Sequence, residues 1–322
     1  MDATPTDTPG RLEQLSLGAA NLHTNGLDNA FEVLDAWLAA GGRMIDTAAS
    51  YAGGESERTI GAWLRERGSR ERVVLMTKVG HPDANYTRNR VTPALLEADL
   101  AGSLDRLGVP WVDVLLVHRD DPALPVGAIL DVLATAVVAG QARAYGVSNW
   151  TLPRLDEALA YVDGHGLPPL TWSSSYLGLA APSGPAWPGV VDASDPRSRA
   201  WYASHSVRLV AWSPVANGFF ADDADDAAER FDAYRSAANA ARRDRARDLG
   251  ARRGLTATQV ALAWVICQPM APIAPVGTVS VAHLVEAIAA TDLRLTGDEL
   301  RWLEDGDADA SQAAPLERAW TT

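Results

Sequence analysis

The chain has 322 residues, of which 47% are hydrophobic and 21% charged, a composition typical of a globular protein with a buried core. Its formal net charge of −13 repels nucleic acid and anionic membranes, so we expect neither as a partner. A single cysteine, Cys267, excludes an intrachain disulfide and a cysteine-based zinc site. The 28 basic residues include one lysine, Lys78, and arginine is a poor substitute where a pKa must shift.

No targeting or membrane-spanning segment is expected. Residues 1–11 are polar and lack both a basic start and an apolar run, unlike a signal peptide. The longest apolar stretch, residues 260–267, is far shorter than the about 18 residues of a membrane span. We therefore expect a cytoplasmic protein with one domain over residues 1–322, a flexible N-terminal tail at 1–12 and a C-terminal tail at 307–322.

Short apolar runs of β-rich composition alternate along the chain with longer segments of helical periodicity. Two of the runs, residues 112–117 and 207–212, are β-branched and almost uninterrupted, as in parallel strands buried on both faces. The predicted strands are residues 15–20, 43–47, 73–78, 112–118, 142–148, 170–174, 207–213 and 272–276.

Helical segments follow these strands. Residues 92–107 begin with a threonine cap and a first-turn proline, and they end at a glycine. The other predicted helices are residues 29–40, 55–67, 126–139, 151–162, 199–205, 237–253 and 281–290. This alternation predicts an α/β protein folded as a closed (β/α)8 TIM barrel. The alternative is an open doubly wound sheet, but the chain has neither a G-x-G-x-x-G nor a Walker A sequence.

Two connections are much longer than the others in this strand–helix repeat. Residues 177–198 are rich in proline and glycine and predict a long ordered loop, and residues 216–234 form a second long connection. Both are expected over the C-terminal face of the barrel, where active sites lie. The second holds four acidic residues, which we interpret as a solvated helix start rather than a metal site: Asp222, Asp223, Asp225 and Asp226.

Polar residues end successive apolar strands, and a barrel brings such ends to one mouth. They are Asp46, Lys78, His118 and Ser148-Asn149, with Tyr51 in the loop after the second strand. A lysine that follows a buried strand needs a carboxylate or a lowered pKa, and Asp46 is the natural partner. The ammonium of Lys78 should lower the pKa of Tyr51, whose unperturbed value is about 10.

This set suits proton exchange at a carbonyl or alcohol oxygen while another group supplies hydride. His118 would position the carbonyl, and Ser148 and Asn149 would hold the carboxamide of a nicotinamide ring. Taken singly, however, each of these residues is also typical of a loop cap, a surface tyrosine or a hydrogen-bonded core histidine.

The chain resembles the aldo-keto reductases in an ordered series of motifs over most of its length. They are Gly42-Arg43-Met44-Ile45-Asp46-Thr47-Ala48, Tyr51, Glu55-Ser56-Glu57, Thr77-Lys78, Leu115-Leu116-Val117-His118, Gly146-Val147-Ser148-Asn149-Trp150, Ala211-Trp212-Ser213-Pro214 with Gly218, Gln259-Val260-Ala261-Leu262-Ala263-Trp264 and Pro275-Val276-Gly277-Thr278. The resemblance implies a barrel that binds NAD(P)(H), with Tyr51 as general acid–base, Lys78 and Asp46 tuning it and His118 orienting the substrate.

The resemblance also implies the cofactor-binding residues. Ser173 stands where the family usually has a glutamine that contacts the carboxamide, and Trp212 stands where many members stack a tyrosine on the ring. The remaining candidates are Ser148, Asn149, Ser213, Pro214, Gly218, Gly277, Thr278, His283 and Glu286. The resemblance implies NADP as the cofactor. NAD is the alternative, because the segment directly after the eighth strand, residues 277–289, has no lysine or arginine to bind a 2′-phosphate.

The expected substrate is a small carbonyl or alcohol compound. Trp150 and Trp187 are the predicted substrate contacts, and aromatic faces above a polar mouth suit sugars and cyclitols as well as hydrophobic ketones. The long loop after the sixth strand is similar to that of bacterial sugar-linked members.

Two other functions remain open at this point. One is a redox sensor on the same barrel that binds the nicotinamide cofactor without turnover. The other is a metal-dependent hydrolase built on Asp46, His118 and Lys78, although such sites need several histidine or carboxylate ligands. No metal is expected, and the sequence leaves the oligomeric state open.

Overall fold

The computed structural model describes residues 11–306, apart from 84, 87, 186 and 225–227. Eight parallel strands lie in the order β7-β6-β5-β4-β3-β2-β1-β8. They are β1 Leu15–Gly18, β2 Met44–Asp46, β3 Val74–Val79, β4 Val112–Val117, β5 Ala142–Ser148, β6 Trp172–Tyr176, β7 Arg208–Trp212 and β8 Ala274–Gly277. Backbone hydrogen bonds between Ile273 and Leu209 and between Ala211 and Ile273 join β8 to β7. The predicted TIM barrel is confirmed.

Helices alternate with the strands as predicted. They are α1 Gly26–Ala39, α2 Glu55–Arg67, α3 Pro93–Leu107, α4 Val126–Val138, α5 Leu152–His165, α6 Pro196–Ser204, α7 Ala237–Arg253, α8 Ala257–Ile266, α9 Val281–Ala289 and α10 Gly297–Asp305. The sequence did not predict α8 or α10. Helix α8 is buried on nearly every side, so its apolar residues show no helical period. Helix α10 carries a capping box of Thr296 and Glu299, a signal that is readable in the sequence.

The strands are apolar on both faces because each face packs against a different layer. One face contacts the helices, where Trp37, Trp63 and Trp264 are fully buried. The other face fills the barrel interior with a smaller cluster, Met44, Met76, Val114, Leu116, Val210 and Ile273. Side chains alternate between the two faces of a strand, so Asp46, Lys78 and His118, each two residues after an inward-facing residue, also face the barrel interior at its C-terminal end.

The two long loops are tied to the barrel. The loop 177–195 returns to β6, where Tyr176 and Ala193 exchange a backbone hydrogen bond of 2.8 Å. Asn239 at the start of α7 donates to the carbonyl oxygens of Ala181 and Tyr234, 2.7 and 2.8 Å away, and so joins both loops. The loop after β6 is therefore ordered, as predicted.

The remaining sequence predictions concern the acidic cluster and the tails. Asp222 is exposed, and its carboxylate lies 3.6 Å from Arg247 Nε, as expected for a solvated surface residue. Asp225 and Asp226 lie outside the described residues. Of the predicted tails, residues 1–10 and 307–322 lie outside the described residues. Residues 11 and 12 belong to a short 3₁₀ helix, Arg11–Gln14, rather than to a tail.

Candidate active site

The structure brings the four predicted catalytic residues together at the C-terminal mouth of the barrel. Lys78 Nζ lies 2.5 Å from Asp46 Oδ1 and 3.2 Å from Tyr51 Oη, and it also donates to the Thr47 carbonyl at 3.0 Å. The His118 ring lies edge-on to the Tyr51 ring, with 5.8 Å between the centroids. All three ammonium protons of Lys78 thus point at acceptors, and one acceptor is the phenol.

Local sequence explains how the Tyr51 loop is held. The chain reverses after β2 through left-handed residues, including Ala52 and Gly54, before α2 begins. Ser56 at the start of α2 donates to the Ala19 carbonyl at 2.8 Å, and its hydroxyl lies 2.8 Å from that of Thr47. These contacts connect the tyrosine loop to the ends of β1 and β2.

Glu57 supports the lysine strand from behind, a role the sequence did not indicate. Its side chain is fully buried and accepts hydrogen bonds from Thr77 at 2.6 Å and Arg106 at 2.7 Å. Because Thr77 precedes Lys78 on β3, the carboxylate of Glu57 fixes the outward face of the strand whose inward face carries the lysine.

Burial controls the titration of the catalytic groups. It raises the pKa of Asp46 despite the opposing attraction of Lys78. Burial also acts to lower the pKa of Lys78, but the charge of Asp46 and the bonds to Asp46 and Tyr51 together outweigh it, and the pKa is raised. The pKa of Tyr51 is raised as well, because burial exceeds the lowering by Lys78. The expectation of a lowered Tyr51 pKa is thus wrong for the protein alone, and Tyr51 is a protonated phenol at neutral pH.

His118 is neutral in this environment. Burial lowers its pKa well below the usual range, and the charges of Lys78 and Arg119 add to the effect. Its Nδ1 is buried and has no hydrogen-bond partner within the described part of the chain. A neutral imidazole at this place can donate a hydrogen bond to a carbonyl oxygen without adding a charge.

Asn149 ties four elements of the mouth together. Its Oδ1 accepts from Trp212 Nε1 at 3.1 Å and from the Val191 amide at 3.2 Å. Its Nδ2 donates to Ser148 Oγ at 2.9 Å and to the His118 carbonyl at 3.4 Å. Its φ of 61° is a left-handed conformation that asparagine tolerates better than most residues. The side-chain amide of Asn149, which we expected to bind the nicotinamide carboxamide, is therefore hydrogen-bonded to protein groups instead.

Ser173 does not face the mouth, contrary to prediction. It pairs in register with Val147, which packs against the outer helices, and its hydroxyl lies 2.8 Å from Tyr202 Oη on α6. Ser174 pairs with Val210, a residue of the barrel interior. The Ser174 hydroxyl is buried without a hydrogen-bond partner in the described structure, so Ser174 is the inward donor of β6 that sequence reasoning missed.

The other candidates for the cofactor follow β7 and β8. Ser213 and Gly218 have positive φ values of 52° and 90°, and Pro214 between them is buried. Gly277 at the end of β8 is exposed. The residues after it are partly or fully exposed: Thr278, whose hydroxyl accepts from the Ser280 amide, His283 at the start of α9, and Glu286, whose carboxylate accepts from Thr256.

Only one of the two predicted substrate tryptophans is exposed at the mouth. Trp187 in the β6 loop is 41% exposed, and its ring centroid lies 5.7 Å from that of Trp212. Trp150 is 1% exposed beneath the guanidinium of Arg154, so the prediction that it contacts substrate is wrong. The chain turns inward directly after β5 and buries that ring under α5.

Three residues beside His118 were not predicted. The His81 ring lies 4.7 Å from the His118 ring and 5.5 Å from that of Tyr86, centroid to centroid. Arg119, the next residue after His118, is buried and interacts with the Tyr86 hydroxyl. His81 follows the lysine strand and Arg119 follows the histidine strand, so their positions at strand ends were a readable signal.

Comparisons with known proteins agree with this geometry. A family model described as the Aldo/keto reductase family matches residues 14–306, and the chain belongs to that family. The enzyme class predicted from the sequence, an NAD(P)H-dependent oxidoreductase, is confirmed. NADP as the cofactor is confirmed at the level of the family, which uses NADP(H).

Individual relatives extend over most of the chain. An aldo-keto reductase of Strobilurus tenacellus is 29% identical over 305 residues, which cover 88% of this chain and 85% of the relative. A crystal structure of an aldo-keto reductase from Klebsiella pneumoniae in complex with NADPH has a TM-score of 0.70 and 26% identity, covering 90% of this chain and 89% of that one. A thermostable aldo-keto reductase shares the fold at a TM-score of 0.71 and 24% identity, with 90% and 94% covered.

The described residues were also searched for metal sites and for membrane-spanning helices. Within them, no group of three or more histidine, cysteine, aspartate or glutamate side chains is arranged to hold a metal ion. None of the helices in the described ranges is long and apolar enough to cross a membrane.

Proposed function

We propose that this protein reduces an aldehyde or ketone to the alcohol, or runs the reverse reaction, with NADP(H) and with Tyr51 as the proton donor and acceptor. The observation that carries the proposal is the buried chain of contacts from Asp46 through Lys78 to the Tyr51 hydroxyl. A phenol held 3.2 Å from an ammonium is placed to give up its proton and to keep the resulting phenolate stable.

The residues divide the work at the carbonyl oxygen. Tyr51 stays protonated until the oxygen gains charge, since burial raises its pKa, and it then donates the proton. The positive charge of Lys78 stabilises the resulting phenolate, and Asp46 keeps Lys78 charged and oriented. His118, neutral because burial lowers its pKa, donates a hydrogen bond that holds the carbonyl oxygen toward Tyr51.

The nicotinamide cofactor supplies or accepts the hydride at the carbonyl carbon. Ser174 offers a buried hydroxyl that no described residue engages, next to Ser148 and Asn149, for the carboxamide of the cofactor. Trp212 offers a partly exposed flat face for the ring. Asn149 would exchange one of its present bonds for a bond to the ligand, whereas Ser174 needs no such exchange.

The phosphate-bearing half of the cofactor is assigned to the ends of β7 and β8. Backbone donors at Gly277, at Thr278 and at the start of α9 suit phosphate oxygens. His283 is exposed there and is the one basic residue between Gly277 and Ala289, so we assign it to the 2′-phosphate of NADP. NAD remains the alternative, because a histidine binds a phosphate less strongly than an arginine.

For the substrate, we propose a compound with one flat or ring-shaped face, such as a sugar, a cyclitol or an aromatic carbonyl. The support is the aromatic wall of Trp187 and Trp212 beside the mouth. The absence of nucleic-acid and membrane partners, and the cytoplasmic location, stay predictions.

The test is the variant Tyr51→Phe, which keeps the ring and removes the acid. We expect NADPH-dependent turnover of an aldehyde panel to fall by about a hundredfold or more, since general acid–base groups contribute about 10²–10⁴. Tyr161→Phe is the matched control, because it removes a phenol hydroxyl from an exposed place on α5. Full turnover in Tyr51→Phe contradicts the mechanism. Tight NADPH binding with no turnover in the unsubstituted protein supports the redox sensor instead.

A further inference from the structure

Arg119 is a buried cation that forms no ion pair with any carboxylate of the described residues. Its side chain is 7% exposed, and its Nη1 donates to the His118 carbonyl at 3.0 Å. It also interacts with the hydroxyl of Tyr86. Its Nε–H is buried and has no hydrogen-bond partner among the described residues. A guanidinium has five N–H donors, so these two neutral acceptors leave most of its capacity unused.

The acidic residues next to Arg119 in the chain are engaged elsewhere. Asp120 pairs with Arg154 at 3.1 Å, and Asp121 accepts from the Ala123 amide at 3.1 Å. Gly189 of the β6 loop lies over the Arg119 stem from the other side and brings no charge. A buried charge without an ionic partner is costly, and in a chain of net charge −13 carboxylates are plentiful. Since none of the carboxylates in the described part of the chain pairs with Arg119, we infer that its counter-charge comes with a ligand.

Arg119 is placed for substrate rather than cofactor. It follows β4, directly after His118, and its positive charge acts to lower the pKa of both His118 and Tyr51, although burial leaves the pKa of Tyr51 raised. The phosphate-binding candidates follow β7 and β8, several strands away around the barrel. An anion at Arg119 thus lies on the side of the mouth where the reacting carbonyl meets Tyr51.

We propose that Arg119 binds a carboxylate of the substrate, so that the reductase acts on aldehydes or ketones that also carry a carboxylic acid. This inference rests on the proposed function. A single guanidinium matches a planar monoanion by paired hydrogen bonds, and the other buried cation, Lys78, is already neutralised by Asp46. His81 and Tyr86 line the same side and supply further donors. The carboxylate is unchanged in the reaction: hydride goes to the carbonyl carbon and the Tyr51 proton to its oxygen.

The test compares 4-carboxybenzaldehyde with methyl 4-formylbenzoate, which present the same carbonyl with and without the negative charge. We expect the unsubstituted enzyme to show a higher kcat/KM for the acid. Arg119→Met should lower kcat/KM for the acid by about tenfold to a hundredfold, the range for a charged hydrogen bond. Turnover of the ester should stay measurable and fall much less than that of the acid, so the ratio of the two kcat/KM values separates the lost carboxylate contact from any general effect of the missing charge on His118 and Tyr51. Arg143→Met, an exposed arginine 60% open to solvent, is the charge-matched control and should change neither.

Equal use of the two compounds by the unsubstituted enzyme, with no selective loss in Arg119→Met, overturns the carboxylate site. If neither compound is reduced, the proposed reaction itself fails for this class. The site is then judged by calorimetric titration with 4-(hydroxymethyl)benzoate. Binding that weakens at least tenfold in Arg119→Met supports the site, and equal binding by both proteins overturns it.

Discussion

The ion pair of Lys78 and Asp46 should be required for catalysis, whereas removal of both charges together should cost the fold much less than removal of either one. The two side chains are 3% and 6% exposed, and their charged atoms lie 2.5 Å apart. Removal of one partner leaves the other charge buried, which costs about 3–5 kcal/mol. We therefore expect Lys78→Met and Asp46→Asn each to lower the free energy of unfolding by about that amount, with Asp46→Asn nearer the lower value because its amide oxygen still accepts.

The double variant Asp46→Asn/Lys78→Met should be more stable than the sum of the single changes indicates. It holds no buried charge at this place, and its main loss is the two hydrogen bonds that Lys78 gives to Thr47 and Tyr51. Each lost bond costs about 1 kcal/mol, so we expect a total loss of about 1–3 kcal/mol. This is at least about 3 kcal/mol less than the two single losses added together.

Turnover should fall in all three variants, because the charge beside Tyr51 is removed or is no longer held. For Lys78→Met we expect a loss of about a hundredfold or more. Urea unfolding followed by tryptophan fluorescence gives the stabilities, with equal m-values as the check on two-state behaviour. The exposed pair of Arg301 and Asp298 on α10 is the control, where the double change should be additive within about 0.5 kcal/mol. Additive losses at Lys78 and Asp46, or full turnover in the double variant, would refute the reasoning.

Two further predictions concern β6 and the pH dependence of stability. Ser174→Ala should weaken NADPH binding in a fluorescence titration by about threefold to tenfold without loss of stability, whereas Ser173→Ala should cost about 1 kcal/mol through the Tyr202 bond and leave binding unchanged; the reverse pattern would restore Ser173 to the site. His118 is neutral when folded and has a lowered pKa, so the unfolded chain takes up a proton that the folded chain does not as pH falls below about 6.5. The free energy of unfolding therefore holds the full contribution of His118 above that pH and loses it as the pH falls. In His118→Asn the free energy of unfolding should fall less steeply with acid, by up to about 1.4 kcal/mol per pH unit. The same slope below pH about 6.5 in both proteins would contradict this.

Sequence reasoning brought the proposed catalytic residues to one mouth because their placement depends on chain topology alone. In a parallel barrel every strand ends at the same face, so Asp46, Lys78 and His118 had to meet once the strands were recognised. The ordered motifs then added Tyr51. No side-chain geometry was needed for that step, and the structure confirms the grouping with a 3.2 Å contact between lysine and phenol.

The errors arose where one residue of register or one local turn decides the outcome. Ser173 and Ser174 differ by a single position, which sends one side chain to the helices and the other to the interior. Trp150 follows β5, and the inward turn of the chain there buries its ring. Asn149 was identified correctly as a residue of the mouth, but three of its four side-chain hydrogen bonds join it to segments distant in sequence.

By itself the sequence determined the barrel, the position of each polar strand end and the set of residues proposed for catalysis, because strand–helix alternation and motif order are local properties of the chain. Only the tertiary structure decided the balance of charges at the mouth. Burial outweighs Lys78 in setting the pKa of Tyr51, and Asp120 pairs with Arg154, so that Arg119 has no counter-ion among the described residues. Both outcomes depend on desolvation and on contacts between segments far apart in sequence. The single lysine of an acidic chain was visible from the start, whereas Arg119 was one of many arginines until the fold showed that it is buried at the same mouth.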